Sequence, residues 1–451
     1  MDSGPVDPPN LNRPMLRRID LRGAVSTDAS AASDRDLRRR LPRPAVDGSR
    51  PAAAVAQICD EIRDGGDAAL LAITERVDGC RLTSLSIPLE RCRDAYFELE
   101  PSLREALEKA AARIAGFQRS QMPEPHNWSA DGIEVAGLIR PVDRVGAYAP
   151  GGAIPLLSTV LMTVIPAVVA GVPEVVVATS PGSDGEPAQA ILAAAHLAGA
   201  TEVVVGNAPA LIAAMAYGTE SIVSVDVIVG PGGTYTAQAK REVAARGLVG
   251  VPASFAGPSE VAVVCDDSVP AALAATDLIV QVEHGPDGLA WLVCWSEEVA
   301  DSVEAEVVRI SDEAGRREVI RDNLERNSFI ALVDGPSEAI AFTNAVAPEH
   351  LELMVKNPEA LLPALRHAGA VFCGPWAPAS VGDYVAGPSH VLPTFGSARY
   401  GEALGVRDFL RTIHAVTVSE EGLRLVAPVV AAMARAEGLD VHARSAEDRW
   451  A

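Results

Sequence analysis

Four short stretches of this chain collect side chains that can hold a metal ion or move a proton. QVEHGPDG, residues 281–288, sets Gln281 and His284 three positions apart, so on a helix both would share one face. Gly285 and Pro286 would then stop the helix, and Glu283 points off that face. A lone imidazole at a helix C-terminus is more often a solvated group that satisfies the helix dipole. Zinc takes about four nitrogen, oxygen or sulfur donors, so this pair would be half a site at most. VAPEHLEL, residues 346–353, places Glu349 and His350 between a helical run and a strand, with Pro348 fixing the backbone. An acid and an imidazole side by side can divide proton transfers between two different pKa values, although an isolated EH dipeptide is better read as a capped turn with exposed polar residues. GDYVAGPSHVLPTFG, residues 382–396, contains Asp383 and His390, both competent for metal or proton, and Gly382, Gly387 and Gly396 would let the loop approach a ligand. AEGLDVHARS carries Glu437 and His442 about a helix end, and alone it reads as a surface tail. The chain has only eight histidines, and half of them fall in these segments, which makes a shared site worth pursuing.

The elements that must position these residues change character along the chain. The first dozen or so residues are polar and proline-rich and read as a flexible tail with no secretory signal. From about Pro51 to Arg119 apolar residues recur at helical spacing. From Pro141 onward short buried strands alternate with helices: VDRVGAYAP, EVVVATSPG, EVVVGNAP and VDVIVGPGG each end in a Gly/Pro turn, with AQAILAAAHLAGA and ALIAAMAYG between them. EVAVVCD, LAWLVCW, FIALVD and AVFCG repeat the pattern after Lys240. The expected fold is α/β, two Rossmann-like α/β domains facing a cleft, plus small N- and C-terminal helical extensions. The expected division is a tail and extension at 1–40, a discontinuous main domain at 41–147 and 260–404, a second Rossmann-like domain at 148–259, and a C-terminal extension at 405–451. EEGLRLVAPVVAAMARAEGL within that last segment reads as a helix ending at Gly438 that packs on the main body or on a partner subunit.

Bulk composition narrows the classes. Hydrophobic residues make up 48% and charged residues 22% of 451 residues, the balance of a soluble globular chain too long for one core. A formal charge of −22 repels nucleic-acid phosphates and anionic lipid, and no basic run offsets it. Six scattered cysteines without a CxxC pair read as reduced thiols of a cytoplasmic protein. LLSTVLMTVIPAVVAGV is interrupted by Pro166 and Gly171 and is expected to be a buried helix, not a membrane span. No strand is followed by GxGxxG, so the glycine turns in VGAYAPGGAIPL and IVGPGGTYTA do not by themselves establish a dinucleotide site.

In their order and separations the four stretches resemble the histidinol dehydrogenase family, supported by RVGAYAPGG, STVLM, YGTESI, AKR and AGPSE. The resemblance runs from about Val55 to His442 and is highly specific. It implies a zinc-dependent, NAD-linked homodimer that takes a polar amino alcohol, L-histidinol, through histidinaldehyde to L-histidine in histidine biosynthesis. It implies zinc on Gln281, His284, Asp383 and His442, the last donated by the neighbouring subunit. Glu349 would activate water against the aldehyde and His350 would take the alcohol proton. Ser259, Gln281, His284, His350, Asp383, Glu437 and His442 would hold the substrate, and Tyr148 would contact NAD.

The chain departs from the family at the expected cofactor pocket. GNAPALIAAM places Pro209 or Ala210 where the family has a glutamine, and GPGG places Gly233 where it has an asparagine. Each lost hydrogen bond is worth about 0.5–1.5 kcal/mol, which implies weakened or rearranged NAD binding. Two readings within the family follow: a histidinol dehydrogenase with a drifted cofactor pocket, or a paralogue oxidising another polar alcohol such as a sulfonated diol. A catalytically silent zinc-binding dimer is a third, opposed by the intact Glu349–His350 pair.

Overall fold

A computed structural model describes residues 15–28, 31–42, 49–152, 154–252, 259–283 and 288–450. The N-terminal tail and His284 fall outside these ranges. The chain opens with β1 (Arg17–Asp20) and α1 (Ala31–Arg40), followed by α2 (Ser49–Asp78), which kinks at Gly66. A short strand β2 (Ser86–Ile87) leads into α3 (Leu89–Phe97) and α4 (Pro101–Ser120), and then into the hairpin β3 (Asn127–Ala130) and β4 (Ile133–Pro141). Pro101 at the first position and Glu100, whose carboxylate accepts the Ser102 N–H at 2.9 Å, start α4.

Strand–helix alternation begins where the Gly/Pro turns announce it. It runs β5 (Arg144–Ala149), α5 (Leu157–Ala170), β6 (Glu174–Thr179), α6 (Gln189–Ala198), β7 (Glu202–Val205), α7 (Ala208–Tyr217), β8 (Val227–Val229) and α8 (Thr234–Ala245). The apolar stretch around Pro166 is α5, buried along most of its length and closed by Gly171 in the left-handed conformation. Among the described residues no helix is long and apolar enough to cross a membrane. The sheet order is β2-β7-β6-β5-β8, parallel except for β2, so connections leave β5 in both directions.

The second sheet is built from β9 (Glu260–Cys265), α9 (Ala271–Val282), β10 (Leu289–Cys294), α10 (Glu297–Glu313), α11 (Arg317–Asn327), β11 (Ser328–Leu332), α12 (Pro336–Val346), β12 (His350–Met354), β13 (Ala370–Cys373) and α13 (Ala379–Tyr384). Its order is β1-β11-β10-β9-β12-β13, parallel throughout. The chain ends in β14 (Leu410–Val418), antiparallel to β4, and the helices α14 (Glu420–Ala436) and α15 (Asp440–Glu447).

Two groupings differ from the expected division. The helices of 51–120 pack with the first sheet: Val55, Ile62, Leu70 and Ile114 share one core with Val145, Val176 and Val203. Antiparallel pairing of β2 with β7 ties them there. Val391, Leu404, Val406 and Phe409 enter the same core, so residues after α13 cross back from the second sheet to the first. β1, a polar RRID run without alternation, is a strand because β11 offers it a free edge.

Candidate active site

The second sheet also changes direction at one place, between β9 and β12, and the acid–imidazole pair sits at the amino ends of those strands. α12 stops at Val346, and Ala347, with φ 52°, turns the chain in the left-handed region while its N–H donates to the Thr343 carbonyl at 2.7 Å. A non-glycine residue held there stores about 1–2 kcal/mol, which the surrounding packing must offset. That turn delivers Glu349 and begins β12 at His350, both buried. The Glu349 carboxylate accepts the Glu260 N–H at 2.9 Å, and His350 Nδ1 lies 3.1 Å from the Glu260 carbonyl. A carbonyl only accepts, so Nδ1 carries its hydrogen and Nε2 is the nitrogen left for chemistry. Nε2 is buried without a hydrogen-bond partner among the described residues and stands 3.6 Å from Asp383 Oδ1, an ionic approach longer than a hydrogen bond. Burial by itself would lower the imidazole pKa; the carboxylates of Glu349 and Asp383 outweigh it and push it up to about 10.

Asp383 comes from α13, which the sequence presents as part of a glycine-rich loop. The three glycines of that stretch do not open it to a ligand. A side chain at Gly382 would meet the Phe372 ring at 2.6 Å, at Gly387 the Phe117 side chain at 2.6 Å, and at Gly396 the Arg399 guanidinium at 2.7 Å. They exist to let the protein's own side chains close on the loop. His390 is likewise committed to structure. Its Nδ1 lies 2.8 Å from the Asp383 carbonyl and its Nε2 3.1 Å from Thr159 Oγ1 on α5, and burial lowers its pKa. With Nδ1–H donating to the carbonyl, Nε2 accepts from the threonine, so neither nitrogen is free for metal or proton.

Gln281 lies on the last turn of α9, buried, with its amide nitrogen lacking a hydrogen-bond partner among the described residues. Amide nitrogen and oxygen are interchangeable by a flip, so either atom can meet a ligand. α9 ends at Val282, before His284, whose place on the helix face lies outside the described residues. Ser259, half-buried, directly precedes β9, and its carbonyl accepts the Leu289 N–H at 3.0 Å. Sheet pairing thus brings Ser259, the α9 end and the Glu349–His350 pair to one edge. Glu437 and His442 are exposed on the α14–α15 hairpin, which packs on itself around Ala431, Ala434 and Ala443. Among the described residues no three His, Cys, Asp or Glu converge as a metal cluster.

Tyr148 lies at the carboxyl end of β5, buried, its hydroxyl 3.2 Å from Ser180 Oγ. This is the switch point of the first sheet, the crevice where doubly wound sheets take nucleotides. Thr179 Oγ1 is buried there without a partner among the described residues, and a side chain on Gly151 would strike it at 2.2 Å. Gly230, with φ 109°, passes so close to Tyr148 that a Cβ would sit 2.0 Å from its carbonyl oxygen. The corresponding carboxyl edge of the second sheet is ill suited to phosphates, because Asp266, Asp267 and Glu298 line its cavity of ≈ 470 Å³. The departures from the family amides are structural here: Pro209 and Ala210 are buried in α7, and Gly233 caps α8.

Sequence reasoning missed Glu260, Asp277 and Glu352. Glu260 is buried, accepts the Phe395 N–H at 2.7 Å, and through its backbone holds both Glu349 and His350. AGPSE was visible as a motif, but nothing in it shows that its glutamate is sealed against the strand bearing His350.

A doubly wound sheet with glycine turns at its switch point, and a buried acid–imidazole pair on a second sheet, define an α/β enzyme of the dehydrogenase type. Comparison with known proteins agrees: the family model for histidinol dehydrogenase matches residues 41–450. Histidinol dehydrogenase of Thermus thermophilus is 43% identical over 88% of this chain and 93% of its own length. That of Cupriavidus pinatubonensis is 40% identical over 98% and 99%. The crystal structure of histidinol dehydrogenase from Elizabethkingia anophelis, 30% identical, covers 97% of this chain and 98% of its own with a TM-score of 0.88. The chain belongs to the histidinol dehydrogenase family.

Proposed function

We propose that this chain oxidises L-histidinol through histidinaldehyde to L-histidine, as a homodimer using NAD and zinc. The observation that carries the reading is the buried Glu349–His350 pair, oriented by one backbone segment at Glu260 so that His350 Nε2 has no hydrogen-bond partner among the described residues and stands beside Asp383. Full-length relatives at 40–43% identity favour histidinol over another polar alcohol.

The donor set suits zinc. Gln281 offers a buried amide with an unmet atom, Asp383 a carboxylate, and His284 and the partner subunit's His442 would complete four donors. Exposure of Glu437 and His442 on a separate hairpin suits their reaching a second copy. Bound there, zinc would orient the substrate's amine and imidazole. With the Asp383 carboxylate engaged by a cation, less negative charge holds the proton on His350, and Nε2 can act as the base for the alcohol hydroxyl. NAD, in the crevice at Tyr148, would accept the hydride in each oxidation. In the second oxidation Glu349 takes the proton of the water that adds to the aldehyde carbon. Ser259 would hydrogen-bond the substrate at the same edge.

The test is NADH production by zinc-loaded protein given L-histidinol, with stoichiometry counted. Two NADH per histidinol, lost on chelation and restored by zinc, is the expected result; no turnover by zinc-loaded protein overturns the reading.

A further inference from the structure

α9 and α13 carry Gln281 and Asp383, and each must be held at a fixed distance from β12 for those side chains to meet one ligand. β12 alternates, so His350 and Glu352 project from the same face of the strand. Glu352 is fully buried, and its Oε1 accepts the N–H of Ala379, the first residue of α13, at 3.1 Å. Among the described residues its other oxygen meets no N–H or hydroxyl group. The carboxyl of Asp277, buried on α9 one turn before Gln281, interacts with the Glu352 carboxyl.

We propose that Glu352 and Asp277 are positioning residues that lock α9, β12 and α13 into one frame and so set the separation of Gln281 and Asp383. This rests on the zinc site proposed above. Two carboxyl groups hydrogen-bond only when one of them carries a proton, and the surroundings favour that state: burial raises both pKa values, that of Glu352 to about 10. A singly protonated, hydrogen-bonded pair gives α13 an acceptor at its N-terminus without leaving two buried charges in opposition. His390 holds the other end of the same six-residue helix through the Asp383 carbonyl, so Asp383 is fixed from both sides. Side chains that orient metal ligands typically govern metal affinity by about 10–100-fold.

The test compares full-length wild type with Glu352→Gln and Glu352→Met. Glutamine keeps a carbonyl oxygen for the Ala379 N–H and an amide N–H for Asp277; methionine fills the volume with neither. Zinc affinity is read by competition with a chromophoric chelator, and hydrogen exchange across residues 376–386 is followed in zinc-free protein, with folding checked by circular dichroism. Glu352→Met is expected to weaken zinc binding by about 10–100-fold and to speed exchange at α13, while Glu352→Gln stays within about twofold of wild type. If Glu352→Met does not fold, Ala379→Pro removes the donor N–H at a helix position that accepts proline, and the same losses are expected. Wild-type zinc affinity and exchange in Glu352→Met, or equal losses in the glutamine and methionine variants, overturn the proposal. Wild-type protein that binds no zinc refutes the metal reading instead, and the exchange comparison still decides whether Glu352 holds α13.

Discussion

Glu349→Gln separates the chemistry of the acid from its place in the fold. Glu349 is buried and accepts the Glu260 N–H at 2.9 Å. Glutamine has the same shape and keeps an oxygen for that N–H, so stability is expected to change by less than about 1 kcal/mol. Alanine would leave the N–H buried and unpaired, at about 1–3 kcal/mol. The proposed base is lost in both variants. General-base catalysis contributes about 10²–10⁴-fold, so attack of water on the aldehyde should slow by that factor while the first oxidation, for which His350 is the proposed base, slows less. The assay counts NADH per histidinol at limiting substrate, beside zinc content and a urea unfolding midpoint. The expected outcome for Glu349→Gln is a stoichiometry falling from two towards one, with zinc and midpoint close to wild type. Unchanged aldehyde oxidation, or a loss of zinc matching the loss of rate, would refute the assignment and make Glu349 a structural residue.

Other outcomes follow from the same geometry. Asp383→Ala and His284→Ala should lower zinc content and turnover together, measured by metal analysis on purified protein; full turnover without zinc would sink the ligand set. Gly151→Val, whose side chain would collide with Thr179 Oγ1 and the Ser180 backbone, should raise the KM for NAD at least tenfold and leave zinc binding unchanged. Lys240 is fully buried, donates to the Gly230 carbonyl at 2.6 Å, and has its pKa lowered by burial to about 8. Between that value and the unfolded 10.5 the unfolded chain binds the extra proton, so wild-type stability should rise with pH there by up to about 3 kcal/mol, a rise absent in Lys240→Met by urea titration. Glu352 behaves oppositely: the folded state keeps a proton that the unfolded chain releases above 4.5, so its contribution falls as pH climbs towards about 10. Glu352→Gln should therefore flatten the decline in unfolding midpoint between pH 5 and 9, and an unaltered slope would contradict the protonated pair.

Much of this protein is legible locally. Apolar runs closed by Gly/Pro turns mark β5 to β8, and the same pattern marks β9, β10 and β11, because a strand buried on both faces must be continuously hydrophobic; β13, half-buried at the sheet edge, carries the pattern too. Helical spacing marks α2 to α7, and α14 stops beside Gly438, which adopts a left-handed φ of 75°. Glu349 and His350 are legible only in company, since an EH dipeptide alone reads as a capped turn and it is the order and separation of the four polar stretches that marks it. Pairing across the chain is what the sequence does not carry. The N–H that orients Glu349 belongs to a residue 89 positions away, and it arrives there only because β9 and β12 are neighbours in the sheet. The same neighbourhood turns Glu352 from one polar letter in HLELM into the acceptor for the first N–H of α13, and both nitrogens of His390 are spent on scaffolding. The glycines of 382–396 look like room for a ligand until Phe117, Phe372 and Arg399 are seen to fill it. Periodicity reports which side of an element is buried; only the tertiary structure decides what it is buried against, because that depends on strand order and not on the spacing of residues along one strand.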